Sequence, residues 1–215
     1  MDAEAWDERY RSSELMWSAG PNQFVEAELA SLPPGRAVDL AAGEGRNAIW
    51  LARQGWRVTA VDFSQVALDK GRKIAGDLPV LWLCADATTW REDASYDLSV
   101  LAYLQLPADE RRAAHRNAFA ALRPGGTLLV VAHDSTNLDE GVGGPQDPDV
   151  LLTADDVLAD LDGTSYQVVR AERVAREVAP DVAPDVAPDM APDMAQPDGG
   201  SRTAYDALVR VVRRD

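Results

Sequence analysis

The sequence is poor in the residues that build staples and metal sites, with one cysteine and two histidines among 215 residues. A lone thiol, Cys84, closes no intramolecular disulfide and fits a reducing compartment. No Cys/His spacing of a zinc site occurs, so no metal is expected. Positive charge is also scarce: 21 Lys and Arg stand against 36 Asp and Glu, a formal net charge of −15. Such a chain repels a phosphate backbone, which argues against nucleic acid as a partner. Its densest basic cluster, Arg111, Arg112 and Arg116, reads as a solvated helix face. Long apolar runs are missing too, none approaching the roughly 20 residues that cross a bilayer. The acidic start, Met1 to Asp7, lacks the positive region and apolar core of a signal peptide. No membrane partner is expected, and a cytoplasmic location is.

What remains is ordinary globular composition, 46% hydrophobic and 27% charged, enough for one α/β domain with one site. Residues 5–30 read as helical with a break at Gly20-Pro21, and Pro33-Pro34-Gly35 ends that segment. Strand-like runs follow at 36–41, 57–62, 80–85, 96–101 and 127–132, alternating with helical runs at 46–54, 64–75 and 109–122. This alternation predicts a doubly wound, mainly parallel sheet with helices on both faces. After a short helix at 155–161, two further runs, 166–178 and 203–212, are expected to pair as a C-terminal antiparallel hairpin, making seven strands.

Between those last runs, Ala-Pro-Asp-Val/Met repeats four times from Ala179 to Met194. Each proline removes an amide donor and drives the residue before it toward extended conformations, which disfavours helix and central strand alike. The segment 179–200 therefore reads as an acidic, solvated insertion in the hairpin; a partner-binding tract is the alternative.

The stretch Val38-Asp39-Leu-Ala-Ala-Gly43-Glu-Gly45-Arg-Asn47 carries a strand straight into a glycine turn and a helix. Asp62 stands nineteen residues beyond Gly43, at the end of the second strand, where a carboxylate can accept from both hydroxyls of a ribose. Gly43-x-Gly45-x-x-Ala48 also satisfies a loose dinucleotide fingerprint, which keeps an NAD-dependent oxidoreductase in view. Asp39 speaks against it, since a carboxylate beside the turn suits a cationic aminoacyl group and repels a pyrophosphate.

At these residues the chain resembles the class I, Rossmann-like S-adenosylmethionine-dependent methyltransferases, near the small bacterial thiopurine and tellurite-resistance members. Asp39-x-Ala41-x-Gly43-x-Gly45 is similar to their acidic-glycine loop, with alanine replacing its usual first glycine. The resemblance implies S-adenosylmethionine as cofactor, held by Asp39, Ala41, Gly43, Gly45 and Asn47. It makes Asp62 the ribose acid, sets Phe63 against the adenine, and gives the adenine edge to Asp86 and Ala87. Leu101-Ala102-Tyr103 matches the segment that meets cofactor and acceptor, and Leu122 to Val130 the helix-to-strand turn before the fifth strand. Trp6, Tyr10 and Trp17 resemble an aromatic cap, so residues 1–34 are expected to form a helical lid over a domain at 35–215. Simple packing of Trp6 on Tyr10 at i and i+4 is the alternative.

The implied acceptor is a small molecule, uncharged or cationic in keeping with the acidic chain. No catalytic residue is singled out: His133, after the fifth strand, reads as a general base or as a loop histidine. His115 is expected to be exposed, and Cys84, in an apolar run, to be a buried packing thiol. A noncatalytic cofactor-binding or scaffold protein is the third reading.

Overall fold

The sheet is entered near its middle and completed by a strand inserted next to its edge. In the computed structural model, which describes residues 3–12, 20–178 and 202–215, five strands come first. They are β1 (Arg36–Leu40), β2 (Arg57–Asp62), β3 (Val80–Cys84), β4 (Tyr96–Ala102) and β5 (Leu122–His133); β6 (Tyr166–Val178) and β7 (Arg202–Arg213) follow. The order across the sheet is β3-β2-β1-β4-β5-β7-β6. The first five strands are parallel, and β7 lies antiparallel between β5 and β6. This is the seven-stranded, doubly wound sheet with a terminal hairpin that the alternation of runs predicts. Trp17 and the insertion 179–200 lie outside the described residues.

Seven α-helices are described: α1 (Ala3–Ser12), α2 (Gln23–Leu29), α3 (Arg46–Arg53), α4 (Gln65–Ala75), α5 (Ala108–Ala120), α6 (Asn137–Glu140) and α7 (Ala154–Asp160). Each face of the sheet carries its own core. Val38 and Leu40 of β1 pack with Phe119 of α5 and Val157 of α7, while Ala37 packs with Val25 and Leu29 of α2 and Leu51 of α3. Both faces are covered, and β1 is buried from Ala37 to Leu40. Side chains cap α2, α4 and α7: Asn22 accepts at the head of α2, Ser64 Oγ accepts from Ala67 N at 3.1 Å at the head of α4, and Thr153 forms a capping box with Asp156 on α7. α3 has no side-chain cap; Gly45, at φ +75°, opens it instead.

Four expectations are corrected. Cys84 is exposed, because β3 is the outermost strand, where Leu81 and Leu83 are exposed as well. Arg111 and His115 are buried, since Asp160 at the end of α7 draws both inward. Arg111 Nε donates to its Oδ2 at 2.8 Å and His115 Nδ1 lies 2.9 Å from the same oxygen. Arg112 and Arg116 remain exposed, although Arg116 Nε donates to the Asp160 carbonyl at 2.8 Å, so the solvated-face expectation fails for Arg111 alone. Finally, β5 begins at Leu122 rather than 127, with Leu122 paired to Tyr96 and an irregularity before Thr127 absorbing Pro124-Gly125-Gly126.

Candidate active site

The chain leaves β1 at Leu40 and turns three times through left-handed backbone, at Ala41 (φ +60°), Gly43 (φ +57°) and Gly45 (φ +75°), before α3. Glycine tolerates this region; alanine is strained in it. The turn is held from β2, whose last residue Asp62 accepts from Gly43 N through Oδ2 and from Ser64 N through Oδ1, both at 2.8 Å. Asp39 holds it from below, accepting from Ala48 N at 3.0 Å. Both carboxyls are buried. Burial pushes Asp39 up to about 7; the Ala48 amide opposes this, Asp62 adds to it, and Arg46 opposes it. Burial likewise pushes Asp62 up to about 6 against its two amide donors, with Asp7 adding to the rise. The loop therefore sits over two acids whose ionised forms burial disfavours.

A cavity lies over this loop. Ala41, Gly43, Asp62, Phe63 and Ala102 to Leu106 line it. Trp6 and Tyr10 reach over it from α1, with ring centroids 5.8 Å apart. α1 is fastened to α4: Ser64 Oγ donates to Asp7, and Lys70 Nζ donates to the Tyr10 carbonyl. Lys70 also pairs with Glu44 in the glycine turn at 3.2 Å. α2, by contrast, buries Val25 and Leu29 in the core.

Of the residues singled out in the sequence, the structure brings Trp6, Tyr10, Ala41, Gly43, Asn47, Asp62 and Phe63 to this cavity. Asp39 is buried beneath the loop. Gly45 faces Trp82, which any Cβ there would strike at 2.4 Å. Leu101 is buried in the core, while the following Ala102 and Tyr103 take the cavity wall. Ala87 is also buried, and Asp86 is exposed with Oδ1 accepting from Thr88 N and Oγ1 at 2.7 and 2.8 Å.

Sequence reasoning missed four side chains around Tyr103. Asn22 donates through Nδ2 to Tyr103 Oη at 3.1 Å, and its backbone N donates to Asn47 Oδ1 at 2.9 Å. Tyr103 Oη donates onward to Asp206 Oδ2 at 3.0 Å, which Arg176 Nε also reaches at 3.0 Å. Burial first, then the Asp206 charge, raise the Tyr103 phenol above its ordinary range, so it stays a neutral donor. Arg46 lines the cavity, giving it a positive wall that the overall acidity of the chain does not reveal. Asn22, directly after Gly20-Pro21, is a legible helix cap; Asp206 has no local signal.

Residues 37–126 match the family model described as a methyltransferase domain. The demethylmenaquinone methyltransferase of Clavibacter sepedonicus is 36% identical over 127 residues, which are 56% of this chain and 52% of that protein. The chain spans about half the length of this relative and of the Bacillus subtilis YqeM protein, 52% and 54%. Thiocyanate methyltransferase 1 of Brassica oleracea is 26% identical over 162 residues, 71% of this chain and 70% of that protein. The solved structure of TehB from Haemophilus influenzae shares the fold with a TM-score of 0.67 at 16% identity, covering 90% of this chain and 63% of that one. The fold is that of the class I, Rossmann-like methyltransferases.

Proposed function

We propose that this chain transfers the methyl group of S-adenosylmethionine to a small-molecule acceptor. The observation that carries this reading is the cavity over the glycine turn, beside two buried acids held above the usual carboxylate range by burial. The residues fit the cofactor. Each Asp62 oxygen is engaged by one amide and keeps a second lone pair for a ribose hydroxyl. Asp39 and Asp62 together favour the ammonium of the aminoacyl group, while Phe63 offers an apolar face to the adenine. Asp86 and Ala87 stand next along the chain after β3 for the adenine edge. Trp6 and Tyr10 would exclude water from above, with residues 1–34 as a cap on the domain at 35–215.

Bound there, the cofactor supplies a methyl group already activated by the charge on its sulfur. The protein's part is to hold donor and acceptor in line. Tyr103 and Arg46, which also line the cavity, are the residues we assign to the acceptor. We further infer a cytoplasmic protein that does not bind nucleic acid, in accord with its net charge of −15. No helix among the described residues is long and apolar enough to cross a membrane. Titration calorimetry with S-adenosylhomocysteine and, in parallel, NAD tests the cofactor. Micromolar binding of the first and none of the second is expected, and the reverse overturns the reading. A screen of oxygen, nitrogen, sulfur and chalcogen nucleophiles, scored by S-adenosylhomocysteine release, then tests the activity.

A further inference from the structure

Behind Tyr103 lies a second polar cluster that the cofactor reading leaves without a task. The register of β5 on β7 sets His133 opposite Asp206. Asp206 is fully buried, and its Oδ2 is spoken for by Tyr103 and Arg176. Its Oδ1 has no hydrogen-bond partner, and neither does His133 Nδ1, which is also buried; the two lie 3.5 Å apart. Sealed polar atoms without partners are uncommon because each has given up water for nothing. These two are complementary: an Nδ1–H of imidazole donates to a carboxylate, and that bond fixes the tautomer in which Nε2 is the acceptor. The imidazole stacks 4.5 Å from the ring of Tyr103, a residue of the cavity wall. On its other side, a Cβ at Gly144 would meet Nδ1 at 3.1 Å, so the ring is held from both directions. Arg176 Nε, 3.0 Å from Asp206 Oδ2, offsets the charge of that carboxylate.

We propose that His133, oriented by Asp206, is the general base for acceptors that arrive carrying their proton: a hydroxyl, a thiol or an ammonium-forming amine. The proposal rests on the methyltransferase reading above. In the step, the acceptor's lone pair forms the new bond to the methyl carbon, and the carbon–sulfur bonding pair returns to sulfur, leaving a neutral thioether. The acceptor's proton passes to His133 Nε2, the imidazolium is stabilised by Asp206, and the proton then leaves to solvent. An acceptor that is already an anion has no proton to give and gains little from the base.

The chain has only two histidines, so nitrogen-15 spectra of the full-length, histidine-labelled protein resolve both rings. With S-adenosylhomocysteine bound, His133 is expected as the Nδ1–H tautomer, shifting toward Nε2–H in Asp206→Asn. An Nε2–H tautomer in the unaltered protein, or one unmoved by Asp206→Asn, overturns the proposal, and this holds whichever acceptors are turned over. In a kinetic arm, 2-mercaptoethanol and thiocyanate serve as acceptors with and without a proton. His133→Gln is expected to lower kcat for the thiol by about 10²–10⁴-fold at unchanged S-adenosylhomocysteine affinity, and to lower thiocyanate turnover far less. Equal losses for both acceptors reject the base role. Failure of the unaltered protein to bind S-adenosylhomocysteine would reject the methyltransferase reading instead, and calorimetry reads that separately.

Discussion

Asp62 raises the proton affinity of Asp39 across two neighbouring parallel strands, and burial holds both acids up, to about 6 and about 7. Both values exceed the ordinary 3.8 of the unfolded chain. The stability each contributes is therefore fully present below about pH 4 and is lost as pH rises through 6 to 7. A bound ammonium favours the ionised forms. S-adenosylhomocysteine binding should accordingly tighten between pH 5 and 8 and release protons, measured by calorimetry in buffers of differing ionisation enthalpy. Asp39→Asn should reduce the release. Binding enthalpies independent of buffer would reject this coupling.

Asp62→Ala should weaken S-adenosylhomocysteine binding by about 1.5–3 kcal/mol, the worth of charge-assisted hydrogen bonds. It should also lower the ligand-free melting temperature, because Gly43 N and Ser64 N lose their acceptor. Unchanged affinity in a folded variant would move the cofactor elsewhere.

Asp160 joins α5 to α7 by taking Arg111 and His115 together. Removing it leaves a buried guanidinium without a counter-charge, so Asp160→Ala should cost about 3–5 kcal/mol in urea unfolding. Adding Arg111→Met should recover much of that loss. If the double variant is no more stable than the single, the burial of the pair is misjudged.

Ala41 pays for a left-handed turn that glycine adopts freely. Ala41→Gly should raise stability by about 1 kcal/mol, or roughly 2–4 °C in melting temperature for a domain of this size. A lower melting temperature would mean that the alanine methyl packs favourably enough to outweigh its strain.

Much of this was legible in the chain. Val38, Leu40 and their counterparts on the parallel strands are apolar because both faces are buried, and the period of strand and helix is strong. Ser64 announced its cap, and Asp39, Gly43 and Asp62 announced a ligand-facing turn, because local geometry dictates those residue types. Arg111, His115 and Cys84 misled for the opposite reason: their burial depends on Asp160, 49 and 45 residues beyond the first two, or on which strand ends up outermost. Asp206 was invisible, since its meaning arises only from its register against His133 across the repeat.

The place of β7 has a consequence for how the protein comes into being. Because β7 fills the gap between β5 and β6, a growing chain can assemble the β3-β2-β1-β4-β5 half before β7 has been made. Until then β5 carries an open edge of unpaired amides and carbonyls, the kind of template on which strands from other chains assemble. The same later strand delivers Asp206, so the cluster around Tyr103 is completed after the glycine turn and the two acids beneath it have had time to form.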